Sequence, residues 1–303
     1  MYYLHFPIYW FEQQPYAVFD GNQGIVPSSL LFFRPSSSGD ANYSIQFAPP
    51  LKATNSAFGK SERFVLLGEE LFETYFVFGN YVERCFVDDE MVRLHVIADK
   101  DTLWESGYCS SLRSLWYYYL SEFGTPITLN GQATIAFFNA KSLGSSHSGF
   151  YAPRVDMPYI AHEMFHMWQD EKCSNDLFFK EGLATYMQVD ALQKARIIDE
   201  DERNKILEDF KKALLSVDNL DSAYFYSKEN LYALREESPQ SYQALVYFKG
   251  ALLWEMLSNK GYDVNQLFRQ YQSRGDCPDR LLAQMEKHLY SNISHQQAAI
   301  LRP

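Results

Sequence analysis

The chain has 303 residues, 47% of them hydrophobic and 21% charged, enough apolar material to bury the cores of two compact units. Its formal net charge of −11, with no basic stripe to offset it, excludes a nucleic-acid binder and favours solubility. No apolar run approaches membrane-spanning length, so no membrane partner is expected.

The N-terminus, Met1-Tyr-Tyr-Leu-His-Phe-Pro7, lacks the basic region and small-residue cleavage site of a secretory signal. A cytoplasmic protein is the expectation, although a chain trimmed of its signal reads the same. Cys85, Cys109, Cys173 and Cys277 are scattered without C-x-x-C spacing and are expected as free thiols in a reducing compartment.

Residues 1–97 read as short strands: Ile8–Phe11, Ala17–Phe19, Leu30–Phe33, Tyr43–Phe47, Arg63–Leu67 and Tyr75–Phe78. Each is rich in aromatic or β-branched residues, and turn clusters such as Asp20–Gly24, Pro35–Asp40 and Gly79-Asn80 separate them. This spacing predicts a small antiparallel β-sandwich domain. The composition shifts near Asp99, and residues 98–303 form the second predicted domain. There the apolar spacing predicts a helix over Thr102–Phe123, stopped at Gly124-Thr-Pro126, then a strand over Ala133–Phe138 and a glycine-flanked loop over Ser142–Gly149.

The next segment, Tyr159-Ile-Ala-His162-Glu163-Met-Phe-His166-Met-Trp-Gln169, carries H-E-x-x-H in an apolar-periodic run without Pro or Gly. Residues four apart share a helix face, so His162 and His166 can aim both imidazoles at one point. Two neutral imidazoles suit Zn2+ above other cations. Glu163 sits one position on, within reach of a water at that metal without being a ligand. Fifteen residues after His166, Phe178-Phe-Lys-Glu181-Gly-Leu-Ala-Thr-Tyr186 also reads as helix, and Glu181 is the natural third ligand. The remainder is mostly helical: Glu181–Arg196, Glu202–Leu215, Ser241–Leu257, Val264–Gln272 and Arg280–Leu289. Aromatic clusters such as Trp116–Tyr119 are assigned to packing.

H-E-x-x-H followed by E-G-x-A-T-Y resembles the gluzincin metallopeptidases, specifically the alanyl aminopeptidase family and its glycyl aminopeptidase relatives, here shortened at both ends. The resemblance implies an α+β protein in which the β-sandwich precedes a thermolysin-like, mostly helical zinc-peptidase domain. The order of helix, Phe123-Gly-Thr-Pro126 turn, strand and loop ahead of the motif matches that family. The resemblance implies that the strand at 133–138 is the edge that pairs with an extended substrate. The connection from His166 to Glu181 is shorter than in the family's pattern.

The family's Y-x-K-G-A segment matches Tyr247-Phe-Lys-Gly-Ala251 residue for residue, which implies a catalytic role for Tyr247. Where the family's loop carries G-x-M-E-N, whose glutamate anchors the substrate's α-amine, this chain has Gly144-Ser145-Ser146-His147-Ser-Gly149, with no acid. Gly144, Ser145, Ser146 and His147 are the candidate substrate-binding residues. The expected activity is hydrolysis of peptide bonds in a peptide or protein substrate by a zinc-activated water. A zinc hydrolase acting on another amide, an ester or an epoxide, or a vestigial binding module, are the alternatives.

Overall fold

The structure, a computed structural model, describes residues 18–19, 24–28, 42–47, 53–67, 74–79, 81–89, 92–99, 102, 104–128, 131–137, 144–146, 148–152, 155–169, 178–217 and 228–274. The chain divides into two compact units, Met1–Arg113 with Thr125–Asp156, and Ser114–Gly124 with Met157–Pro303. The expected strands Ile8–Phe11 and Leu30–Phe33 and the expected helix Arg280–Leu289 lie outside the described residues.

The first unit is built from strands β1 (Val18–Phe19), β2 (Gly24–Pro27), β3 (Asn42–Gln46), β4 (Ala53–Asn55), β5 (Gly59–Ser61), β6 (Arg63–Leu67), β7 (Tyr75–Phe78), β8 (Tyr81–Asp88), β9 (Arg93–Asp99), β10 (Gln132–Phe137), β11 (Gly144–Ser146) and β12 (Gly149–Ala152). An antiparallel sheet runs in the order β1-β2-β7-β4-β5, and β3 pairs with β6 separately. Period-2 alternation explains how these layers stack. On β2 and β7, Val26, Phe76 and Phe78 pack into one core with Phe64 and Leu66 of β6. Their neighbours Ile25, Tyr75 and Val77 point the other way, into a second core with Ile97, Ala136 and Tyr151. Both faces are covered, which is why these strands read as continuous apolar runs rather than alternating ones.

The second core is shared with a mixed sheet in the order β11-β12-β10-β9-β8. Its centre, β9, β10 and β12, is parallel, while β8 and β11 are antiparallel to their neighbours. Residue 97, the expected domain boundary, lies inside β9. This sheet corrects one expectation. The strand expected at 133–138 is not an edge: β10 lies between β9 and β12, and the edge is β11, within the segment expected as a loop. The reason is Gly149, whose φ of +135° and lack of a side chain let β12 approach β10. A Cβ there would sit 1.8 Å from the Thr134 carbonyl oxygen.

A second correction concerns the cysteines. Cys85 on β8 and Cys109 are disulfide-bonded with Cα atoms 5.7 Å apart, so these two are not free thiols. Cys109 belongs to the first turn of α1 (Tyr108–Phe123), which begins only after Gly107 and so later than the expected Thr102.

The second unit is helical, with α2 (Met157–Phe165), α3 (Leu183–Lys194), α4 (Glu200–Leu215), α5 (Lys228–Glu237), α6 (Pro239–Gln243), α7 (Gly250–Asn259) and α8 (Val264–Arg274), together with the C-terminal part of α1. Helix α4 starts on an N-cap, the Asp199 side chain accepting from the Glu202 amide at 2.8 Å. It is tied to α7 by Arg203 and Glu255, a largely buried pair. The architecture is the expected α+β one, a β-rich N-terminal part followed by a helical part.

Candidate active site

The H-E-x-x-H segment lies on α2, with Ile160, Ala161, Met164 and Phe165 fully buried. Behind them stands Tyr119 of α1, whose ring lies 5.8 Å from Phe165 and 5.3 Å from Trp168. Its hydroxyl donates to the Ala161 carbonyl at 2.9 Å, and Trp168 Nε1 donates to the Gly124 carbonyl at 2.8 Å. Trp116 adds an edge-on contact with Trp168 at 5.4 Å. Of the run Trp116–Tyr119, Trp116 and Tyr119 are packing residues, and what they pack is the segment that carries the histidines, whereas Tyr117 is exposed.

After Phe165 the helix tightens into a 3₁₀ turn over His166–Trp168. The two imidazoles still converge, with Nε2 atoms 3.1 Å apart. Glu181 comes from a π-helical turn, Phe178–Gly182, directly before α3. Its Oε2 lies 3.2 Å from His162 Nε2 and 3.3 Å from His166 Nε2. Four ligands at zinc's bond lengths of about 2.0–2.2 Å, arranged as a tetrahedron, have edges of roughly 3.3 Å, so this triangle fits one face. Among the described residues it is the group of three whose ligating atoms all lie within 4.8 Å of one another.

The surrounding hydrogen bonds decide which ring nitrogen of each histidine is bare. The Gln169 amide nitrogen donates to the Lys180 carbonyl at 3.0 Å, so its oxygen faces His166 Nδ1 and accepts from it at 2.5 Å. The Thr185 hydroxyl donates to the Glu181 carbonyl at 2.7 Å and accepts from His162 Nδ1 at 3.3 Å. Both Nδ1 atoms therefore carry the proton, and both Nε2 atoms present lone pairs to each other and to a carboxylate oxygen. Such a cluster demands a cation, either a proton or a metal ion. For His166, burial opposes the charged imidazole, yet the hydrogen bond and charge of Glu181 outweigh it and raise the pKa. Burial pushes the Glu181 carboxyl up, but when a proton is the cation on Nε2 the hydrogen bonds and charge of His162 and His166 more than offset this and hold it well below the usual carboxylate range.

Tyr247 lies in a second π-helical turn, Ala244–Lys249, and its ring stacks on His162 at 5.7 Å and 26°. Burial, then the charges of Glu181 and Glu163 with a contribution from Tyr242, raises its pKa well above the ordinary value, with Arg235 opposing them. The phenol is thus a proton-bearing donor. Glu163 follows His162 directly on α2, and its charge contributes to the upward shifts of both His166 and Tyr247.

The two π turns meet through glycine. A Cβ on Gly182 would lie 2.7 Å from the Gly250 Cα and 3.3 Å from the Val246 carbonyl oxygen. Gly182 cannot carry a side chain without pushing apart the backbones that hold Glu181 and Tyr247.

The structure thus brings five of the sequence-derived residues together in one unit: His162, Glu163, His166, Glu181 and Tyr247. Gly144, Ser145 and Ser146 form β11 in the other unit, and His147 lies outside the described residues. Sequence reasoning missed Gln169, Thr185 and Gly182. Their signals were a glutamine three residues after the second histidine and the Gly and Thr that flank Glu181 at +1 and +4.

Residues 151–295 match the peptidase family M1 domain. The chain resembles the M1 zinc metallopeptidases, and the metal that this donor set suits is zinc. Comparison with the curated proteins finds no match. Among solved structures, the chain is similar to an aminopeptidase N family protein from Idiomarina loihiensis at 15% identity, covering 87% of this chain and 56% of that one with a TM-score of 0.69. It is also similar to an M1 zinc metallopeptidase from Deinococcus radiodurans, at 16% identity over 90% of this chain and 68% of that one, TM-score 0.61. A mutant of the Deinococcus radiodurans enzyme bound to a Tyr-Ser-Ala substrate aligns at 17% identity over 87% and 59% of the two chains, with a TM-score of 0.52. These likenesses establish the fold. The chain spans little more than half the length of the first of these M1 structures. Among the described residues no helix is long and apolar enough to cross a membrane.

Proposed function

We propose that this chain is an M1-type zinc peptidase that hydrolyses peptide bonds and lacks the family's amine-anchoring acid. One observation carries the reading: Nε2 of His162, Nε2 of His166 and Oε2 of Glu181 form a triangle with edges of 3.1–3.3 Å. Inside the same unit, Glu163 and Tyr247 stand beside it. A binding scaffold needs only the triangle, whereas a hydrolase needs all five residues.

His162, His166 and Glu181 would hold the zinc ion, which supplies a Lewis acid that makes a water nucleophilic near neutral pH and polarises a scissile carbonyl. The Glu163 carboxylate takes the proton of the attacking water and delivers it to the departing amine. The Tyr247 hydroxyl, kept protonated by its surroundings, donates to the carbonyl oxygen as negative charge builds there. Gly144, Ser145 and Ser146, on the open edge strand β11, and His147 would contact the peptide. They offer hydrogen bonds but no negative charge for an ammonium group.

The test separates metal binding from chemistry. Glu163→Gln is expected to keep one zinc per chain and lose hydrolysis of a peptide library, because an amide cannot carry the proton. Tyr247→Phe is expected to lower kcat by about a hundredfold or more, roughly 3 kcal/mol of transition-state stabilisation, with a smaller change in KM. A wild-type protein that takes up zinc and cleaves no peptide would overturn the reading.

A further inference from the structure

Arg235, on α5, lies one aromatic contact beyond the catalytic tyrosine. Its guanidinium sits over the Tyr242 ring at 5.8 Å from the centroid. Tyr242 meets Tyr247 edge-on at 6.2 Å, and Tyr247 stacks on His162. Leu231, Leu234 and Val246 pack with the two tyrosines into one apolar cluster, so the rings under the guanidinium are held by their surroundings. Arg235 makes no ion pair with a carboxylate among the described residues, and its side chain is exposed. Stacking occupies the face of a guanidinium and leaves its N–H edges free, arranged as a fork that matches a carboxylate. The acids nearest the triangle are committed elsewhere: Glu181 to the two imidazoles, and Glu163, in the proposed mechanism, to the water.

We infer that Arg235, stacked on Tyr242 one ring contact beyond Tyr247, is a carboxylate-recognition subsite in the unit that carries the candidate metal site, and that the substrates it favours are short peptides bearing a free C-terminal carboxylate or an acidic side chain near the scissile bond. The inference rests on the peptidase reading. An ion pair between a stacked guanidinium and a substrate carboxylate is charge-assisted and can be bidentate, so it acts on affinity before any bond is broken.

The experiment measures binding, so that it does not depend on turnover. Zinc-loaded Glu163→Gln protein is titrated by calorimetry with four tripeptides of one backbone: free acid, C-terminal amide, amide with a glutamate side chain, and amide with glutamine in its place. Tighter binding of either carboxylate peptide than its neutral partner, by about tenfold, is expected, and the arm that shows it identifies the source. The preference should vanish in the Glu163→Gln/Arg235→Gln double variant and return in part with Arg235→Lys. Equal binding of both carboxylate and neutral pairs, or a preference that survives Arg235→Gln, overturns the inference and leaves Arg235 a solvated cap on Tyr242. Loss of peptide hydrolysis by the wild type, with the carboxylate preference intact, overturns the peptidase reading but not the subsite.

Discussion

The two imidazoles of the candidate metal site depend on residues outside the His162, His166 and Glu181 triangle. Gln169 holds the proton on His166 Nδ1, and Thr185 does the same for His162. Each of these partners is itself oriented by a backbone carbonyl, that of Lys180 for Gln169 and that of Glu181 for Thr185. The second bond links the Glu181 backbone to the His162 ring through a single hydroxyl. Removing such a partner frees the ring to rotate or change tautomer, at a typical cost of about 10–100-fold in metal affinity. Thr185→Val, nearly isosteric, is expected to weaken zinc binding within that range, as is Gln169→Leu, while the fold is kept. Competition with a chromogenic zinc chelator measures the change. An affinity unaltered by either variant would show that packing alone orients the rings.

At the scale of elements, two π-helical turns cross at the Gly182–Gly250 contact. An extra residue in a helical turn is a local defect that appears most often at functional sites. Here one such turn presents Glu181 and the other Tyr247. Gly182→Ala is expected to lower kcat about tenfold. Its methyl cannot fit 2.7 Å from the Gly250 Cα, so the turns must separate and carry Tyr247 away from the triangle. If that is the cause, adding Tyr247→Phe to Gly182→Ala costs far less than it does in the wild type. A double-mutant cycle on kcat measures this, and full additivity would place the effect of Gly182 elsewhere.

For the molecule as a whole, one covalent link and one missing charge matter. The Cys85–Cys109 disulfide closes a 24-residue separation between β8 and the start of α1. By loop-closure entropy, Cys109→Ser is expected to lower stability by about 3 kcal/mol in chemical denaturation. Thiol titration of the denatured, unreduced protein should find two fewer thiols than after reduction. Disulfides persist in oxidising compartments, which sets this link against the cytoplasmic expectation. The missing charge is that of the amine anchor. An ammonium desolvated without a carboxylate is costly, so a chain with no acid at 144–149 should discriminate little for a free N-terminus. Acetylating a peptide substrate is therefore expected to change kcat/KM by less than tenfold. A loss of about a hundredfold, about 2.7 kcal/mol, would reveal an anchor supplied from another part of the chain.

What could be read from the residues alone was whatever depends on short-range periodicity. Helical spacing put His162 and His166 on one face, the Glu181 segment offered the third ligand, and strand-like runs marked the β-rich N-terminal part. Tyr247 was legible only through a motif, because periodicity cannot single out one tyrosine among 22. Tertiary structure decided the rest. The place of β10 in the middle of its sheet depends on pairing with β9 and β12, far apart in the chain, and on a glycine that admits β12. The tautomers of the histidines depend on Gln169 and Thr185, ordinary polar residues until the fold aims them. The Cys85–Cys109 bond needs two elements to meet, which scattered spacing cannot foretell. Arg235 is one basic residue on a charged helix until packing sets it over Tyr242. In each case local spacing determines which way a side chain leaves the backbone, and only the folded chain determines what it meets.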